Sequence, residues 1–469
     1  MSQWQDKNST INRFVKNPRE TFGEKKTVHR NQCILCRGTK MLCGKEKCPV
    51  LAKYFSKEKF SPALERNDIA GSSPPSVFIG RYGYPKVAIG PMLPPVLGDT
   101  TYLDTPELWQ DITIEQLIDF RTQLVRGTHL ADVHNLEGGG RIVDATREVA
   151  LSVNAVDMEA LFESKPSGGV KFYSEAQPHG PSAPIERLTL DNPKYEPRIE
   201  KAFYDTDLKS RDAVIGLHKD GSLVSRIQKA FSVGAFGEGK NRKFVPTRWS
   251  ITAVDSMIGE HLMEKTKIAP TIDEYRIYEH IALDNRWIIL LMPTEWCFEL
   301  IEAWYPDTAW NPYDSKIQIF SSYEFYDGRD AYAEIGGCYY ASRMAVNELL
   351  TSQGKQAGCV IMREAHPGYI LPVGVWNVRE NVRAALRTQP KKFESLNDAM
   401  FYATSNVLDI PAKRWINVSG VLKHRLYQRR VEDFLFTGES KSDRQDVGAK
   451  TGVDAEAKEG AGTDAGYEA

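Results

Sequence analysis

The hydrophobic positions of this chain repeat with two different periods, and the period switches several times along its length. In residues 113–127 (TIEQLIDFRTQLVRG) apolar residues fall three and four apart, which predicts a helix, and Thr113 with Gln116 forms a capping box at its start. Residues 144–164 predict a longer helix. Residues 212–234 predict a helix with a break at Asp220 and Gly221. Residues 336–354 predict an amphipathic helix ended by Gly354, and residues 375–388 a further one. Short apolar runs at 286–293, 317–327 and 358–365 predict strands, the first and last of them buried. Residues 77–96 predict short strands broken by Gly and Pro, and residues 245–265 a strand that turns helical. Strands and helices interleave without regular spacing. That argues for an α+β (mixed α/β) fold rather than a barrel or a doubly wound sheet.

Polar stretches divide the chain. Residues 1–28 are polar and basic without periodicity, which predicts a flexible N-terminus. Residues 29–60 hold a cysteine cluster and a short helix-like run. Residues 61–76 (SPALERNDIAGSSPPS) are rich in Ser, Pro and Gly and predict a linker or extended surface segment, and residues 164–184 predict a loop. The character changes near residue 198, so the body divides into regions 61–197 and 198–427. Residues 437–469 contain almost no large apolar side chain and predict a disordered tail.

Composition narrows the class. Hydrophobic residues make up 41% of the 469 and charged residues 26%, as in a soluble globular protein. No apolar run approaches the ~18 residues that span a bilayer, and the N-terminus lacks the apolar core of a secretory signal. The expectation is a cytoplasmic protein without a membrane partner. Seven cysteines, four of them between Cys33 and Cys48, suggest a reduced protein with one metal site rather than a disulfide framework. The net charge of −2 hides an asymmetry: residues 1–60 carry 14 Lys and Arg against 5 Asp and Glu, a net +9, and the remainder carries −11. A basic end on an acidic body suits contact with a polyanion.

Cys33 and Cys36 form a Cys-x-x-Cys turn, followed by Cys43 and Cys48. Paired thiolates at this spacing can close a tetrahedral Zn²⁺ site, and four protein ligands leave no open position for catalysis. An iron–sulfur cluster is the less favoured alternative. Arg37, Lys40, Lys45 and Lys47 surround the cysteines and can face phosphates or form only a solvated basic surface.

Three other stretches hold candidate chemistry. Residues 78–86 (FIGRYGYPK) combine glycines, two tyrosines for stacking, and Arg81 and Lys86 for phosphates, or make an ordinary hairpin. Gly138–Gly140 with Arg141 can cradle an anion or be a plain loop, and no P-loop or dinucleotide fingerprint follows. Glu364 and His366, at the end of a buried strand, point to one side and can serve as base and acid. The structural alternative is an ion pair between Glu364 and a nearby arginine.

Near the C-terminus the pattern Gln428, Val431, Phe434, Leu435 reads Gln-x-x-aliphatic-x-x-aromatic-apolar, the spacing of one helical turn that can enter a partner's groove. It resembles the PCNA-interacting peptide, or PIP motif, at residues 428–436. This motif, the Cys₄ knuckle and the strings SPPSVFIGRYGYPKVAIGP (73–91), RWSITAVDSMIGEHL (248–262), EAWYPDTAW (302–310), GGCYYASRMAVNELL (336–350) and REAHPGYILPVGVW (363–376) together resemble the archaeal Nre family of DNA-repair proteins. The resemblance implies a zinc finger at Cys33, Cys36, Cys43 and Cys48. It also implies tethering to the PCNA sliding clamp through the PIP motif, and a DNA-bound, nucleoid-associated location. It implies no particular reaction. The functional expectation is a clamp-tethered DNA-binding repair factor. The alternatives are a hydrolase acting on damaged DNA or a nucleotide from the central body, and an RNA-binding protein.

Overall fold

The serine-rich stretch expected to be a linker is instead the start of the first sheet. The computed structural model describes residues 65–167, 179–308, 310–311, 314–369 and 372–427. Within them β1 (Asp68–Ser73) is an edge strand paired antiparallel with β5 (Val156–Phe162). Its small side chains are buried, and their hydroxyls bond inward: Ser72 donates to Asp157, and Ser73 donates to the Met92 carbonyl at 2.9 Å. Serine reads as loop from composition, but a buried, satisfied hydroxyl costs a strand little.

The first sheet has six strands in the order β1, β5, β6 (Ser182–Leu190), β4 (Val125–Asp132), β3 (Lys86–Leu93), β2 (Val77–Ile79). Only β4 and β6 run parallel. The expected long helix over 144–164 is two elements. Helix α2 (Arg141–Leu151) stops, and β5 follows with alternating burial from Val156 through Met158 and Ala160 to Phe162. Period-two alternation decides for a strand once neighbours exist on both sides. Helix α1 (Ile114–Thr122) begins with the expected capping box of Thr113 and Gln116.

Helices α3 (Pro197–Tyr204), α4 (Ser210–Lys219), α5 (Val224–Ser232) and α6 (Thr247–Thr266) follow. The break between α4 and α5 comes where Gly221 adopts φ +83°. Residues of α2 to α6 share one hydrophobic core with the first sheet: Ile69, Val87, Val149, Val214, Ile227 and Ile258 all belong to it. Strand β6 ends at Leu190 and α3 starts at Pro197, so this core continues through residue 198. The strand expected at the start of 245–265 is absent; α6 is helical throughout. Its β-branched residues suggest a strand, but Ile251, Val254, Ile258 and Leu262 are buried three and four apart, so the stripe that finds a core is helical.

A second six-stranded sheet runs β10 (Gln318–Glu324), β9 (Cys297–Trp304), β11 (Gly358–Ala365), β8 (Asn285–Met292), β7 (Tyr275–Ala282), β12 (Lys391–Phe393), with β9 and β11 parallel. β9 and β11 are buried at every position, as strands covered on both faces must be. Helices α7 (Gly337–Gln353) and α8 (Trp376–Leu386) supply Tyr339, Val346, Leu350, Val378 and Val382 to its core. α7 ends at Gly354 in the left-handed conformation, as its sequence predicts. Helices α9 (Leu396–Asn406), α10 (Ala412–Val418) and α11 (Gly420–Tyr427) complete the described chain. The mixture of two largely antiparallel sheets with segregated helices is the expected α+β class.

Polar bonds tie the two layers together. Asp255 on α6 accepts from Arg379 on α8 and from Gln228 on α5. Glu348 on α7 accepts from Arg383 on α8 at 2.6 and 2.8 Å and lies 2.8 Å from His218 on α4. Within the second sheet, Arg363 on β11 donates to Glu302 at 2.6 Å and to Asn285 at 2.9 Å, with its guanidinium over Trp287, Trp304 and Tyr369. No described helix is long and apolar enough to cross a membrane.

Candidate nucleic-acid interface

The turn between β2 and β3 carries the FIGRYGYPK string to the surface. Gly83 sits at φ +82°, and a Cβ there would come within 2.6 Å of the Lys86 carbonyl oxygen, so the turn requires glycine. The Lys86 amide closes the turn on the Gly83 carbonyl at 3.0 Å, and the Val133 amide holds the Pro85 carbonyl at 2.9 Å. The turn presents Tyr82 at 77% exposure and Tyr84 at 43%. The Arg81 guanidinium covers one face of Tyr82 at 4.9 Å.

The first turn of α6 meets this hairpin. The Ile79 amide donates to Thr247 Oγ1 at 2.9 Å across 168 residues of sequence. Trp249, two residues on, is 38% exposed, and its ring lies 5.6 Å from Tyr84 at 50°. Lys86 is exposed on the same hairpin, in register with Asp132 of β4, while Arg248 neighbours Trp249. One corner thus brings together Tyr82, Tyr84 and Trp249 with Arg81, Lys86 and Arg248. Such a group offers stacking faces and phosphate-binding cations. The sequence singled out Arg81 and Lys86 but not Arg248 or Trp249; their only signal was the RWSITAVDSMIGEHL string.

Beneath the corner lies a buried polar knot. Asp104 is bonded to Ser76 and Arg121, and to Lys229 Nζ at 2.8 Å. Burial pushes the Asp104 carboxyl up, but Arg121 and Lys229 outweigh it and hold it below the usual range. Phe78, Thr247 and Ser250 help to line the adjoining cavity of about 30 Å³. That is room for on the order of one or two water molecules, too little for a nucleobase. The knot supports the corner from below.

The remaining sequence candidates are placed elsewhere. Arg141 opens α2 and pairs with Glu148 at 2.8 Å on the surface, while Gly140 precedes it at φ +79°. Glu364 and His366 do meet, with Oε2 and Nε2 3.1 Å apart, and the His366 ring stacks on Tyr305 at 4.3 Å. The expected arginine partner of Glu364 is replaced by backbone: Oε1 accepts from the Ile410 amide at 2.8 Å, and Oε2 from the Asp409 amide at 3.1 Å. This fully buried carboxylate, engaged at both oxygens, anchors the 409–410 turn. Burial, with Glu364 and Asp409 nearby, pushes the Tyr305 hydroxyl up to about 12. One donor atom from each of Glu364, His366 and Asp409 lies within 4.8 Å of the others, a spacing able to hold a cation. Asp409 is also paired with Arg286 at 2.5 Å, which offsets one of the two carboxylates. Cys33, Cys36, Cys43, Cys48, Arg37, Lys40, Lys45, Lys47, Gln428, Val431, Phe434 and Leu435 lie outside the described residues.

The geometry defines an α+β protein of two helix-covered sheets, with a solvent-facing corner that joins aromatic rings to cations. Residues 42–311 match the family model described as "Archaeal Nre, N-terminal", and residues 324–434 the one described as "Archaeal Nre, C-terminal". The chain is 39% identical to the DNA repair protein NreB of Archaeoglobus fulgidus, over 86% of this chain and 100% of that protein. It is 37% identical to the DNA repair protein NreA of the same organism, over 80% and 94% respectively. To the DNA repair protein NreA of Haloferax volcanii it is 34% identical, over 73% and 84%. No solved structure matches it. The chain belongs to the archaeal Nre family.

Proposed function

We propose that this protein is a DNA-repair factor that holds DNA against the corner formed by the β2–β3 hairpin and the start of α6. The observation that carries the reading is the meeting of Tyr82, Tyr84, Arg81 and Lys86 with Arg248 and Trp249 from a distant part of the chain. The names of its relatives, all DNA repair proteins, support the pathway. In the same reading Cys33, Cys36, Cys43 and Cys48 hold a structural zinc beside Arg37, Lys40, Lys45 and Lys47. Gln428, Val431, Phe434 and Leu435 tether the protein to the PCNA sliding clamp at chromosomal DNA in the cytoplasm.

Fluorescence anisotropy with labelled DNA tests the assignment. Arg81→Glu with Lys86→Glu should weaken binding and lower the slope of log affinity against log salt by about one unit for each phosphate no longer neutralised. An unchanged affinity and slope would remove this corner from the DNA interface.

A further inference from the structure

We infer that the corner takes unpaired DNA, a single strand or an unstacked junction, in preference to intact duplex; this rests on the DNA-binding reading above. The rings decide the substrate class. In duplex DNA the base faces are stacked on one another, and a protein reaches only base edges in the grooves and phosphates outside. A tyrosine or tryptophan ring standing in solvent meets a base face only where the strand is unpaired. Three such rings stand here: Tyr82 is 77%, Tyr84 43% and Trp249 38% exposed.

Their geometry also says how a base would lie. Two rings that hold a base between them must stand about 7 Å apart, twice an ordinary carbon contact. Tyr84 and Trp249 are 5.6 Å apart and tilted by 50°, too close and too splayed for a sandwich. Each therefore offers its outward face, one base to a ring. Tyr82 has one face under Arg81 and the other available for a third base. Every base has a π face, so stacking of this kind tolerates sequence. Arg81 and Lys86 are placed to follow the phosphates beside the stacked bases. The backbone under the rings is held by the Gly83 turn, the Pro85–Val133 bond and the Ile79–Thr247 bond, so the rings need little ordering on binding.

The test uses the full chain and three labelled probes: an oligo-dT single strand, a blunt duplex of equal length, and the RNA strand oligo-U. Trp249→Ala and Tyr84→Ala should each weaken single-strand binding by about tenfold and leave duplex binding within about twofold. Trp249→Phe, which keeps a ring, should restore most of the affinity. Melting temperatures should fall by no more than a few degrees, the loss of the Tyr84–Trp249 contact. Arg81→Glu with Lys86→Glu should weaken both DNA probes. If the charge variant weakens both DNA probes while the ring variants weaken them equally or not at all, the corner still binds DNA but the inference about unpaired bases is wrong. If neither charge nor ring variants change any probe, the DNA-binding reading itself fails. Equal or tighter ring-dependent binding of oligo-U would overturn the assignment to DNA.

Discussion

Asp255 and Arg379 meet in the interior, with both oxygens of the carboxylate bonded to one guanidinium nitrogen at 3.0 and 3.1 Å. They join α6, which covers the first sheet, to α8, which covers the second. Burial pushes the Asp255 carboxyl up to about 6, and Arg379 pulls it back only in part. Arg379→Met should therefore cost about 3–5 kcal/mol, because it leaves a buried acid without its cation. The double variant Asp255→Leu with Arg379→Met should recover much of that. Urea denaturation of the three proteins decides the matter; a single variant costing under about 1 kcal/mol would show that the pair does not join the layers.

The Glu348 cluster should govern acid stability. Burial alone would raise its carboxyl, but the hydrogen bond from His218 and the Arg383 guanidinium outweigh it and hold it at about 2. A depressed carboxylate adds stability above its ordinary range near 4.5, and that stability is lost as pH falls through about 2. With the side chain partly exposed, we expect about 1–2 kcal/mol, and Glu348→Gln should flatten the stability profile between those pH values. A variant whose profile overlays the parent across that window would contradict this.

On the proposed reading, metal analysis should find about one zinc per chain, since four thiolates at the spacing of Cys33, Cys36, Cys43 and Cys48 can complete a tetrahedral site. Chelation should weaken DNA binding if Arg37, Lys40, Lys45 and Lys47 take part, because metal binding is the folding energy of so short a module. A brown protein with charge-transfer absorption would point to an iron–sulfur cluster instead, and a metal-free protein would remove the site.

For the clamp, Phe434→Ala with Leu435→Ala should abolish binding to PCNA without changing the melting temperature. Burying each anchor in a partner is worth roughly 1.5–3 kcal/mol before ordering costs. A synthetic 425–438 peptide should bind the clamp in calorimetry. A peptide without affinity, or a double variant that lowers the melting temperature, would favour a terminal helix packed on its own protein.

What the sequence disclosed followed from local chemistry. The Thr113–Gln116 cap, the Gly221 break, the Gly354 stop and the buried strand 358–365 each depend on residues within a few positions of one another. Three elements escaped. β1 looked like a linker because Ile69 is its one large apolar residue and its other buried positions are glycine and serines, and β5 looked helical until β1 and β6 were there to pair with it. The start of α6 looked like a strand because β-branched residues mask a helical stripe. The site divided the same way. Arg81 and Lys86 were visible in a local string, whereas the place of Trp249 beside Tyr84 depends on a bond spanning 168 residues. The meeting of Glu364 with His366 was visible in the sequence, but its other partners, the amides of Asp409 and Ile410, carry no side-chain signature.

The 50° tilt between Tyr84 and Trp249 has a mechanical meaning for a bound strand. Successive bases laid on the two rings cannot remain parallel to each other, so the strand must turn a corner as it crosses them. A continuous helix resists such a bend, with a cost that depends on its stiffness, while a nick, gap or flap already supplies a free joint. The protein would then recognise discontinuity itself, through the ease with which DNA folds over a fixed edge.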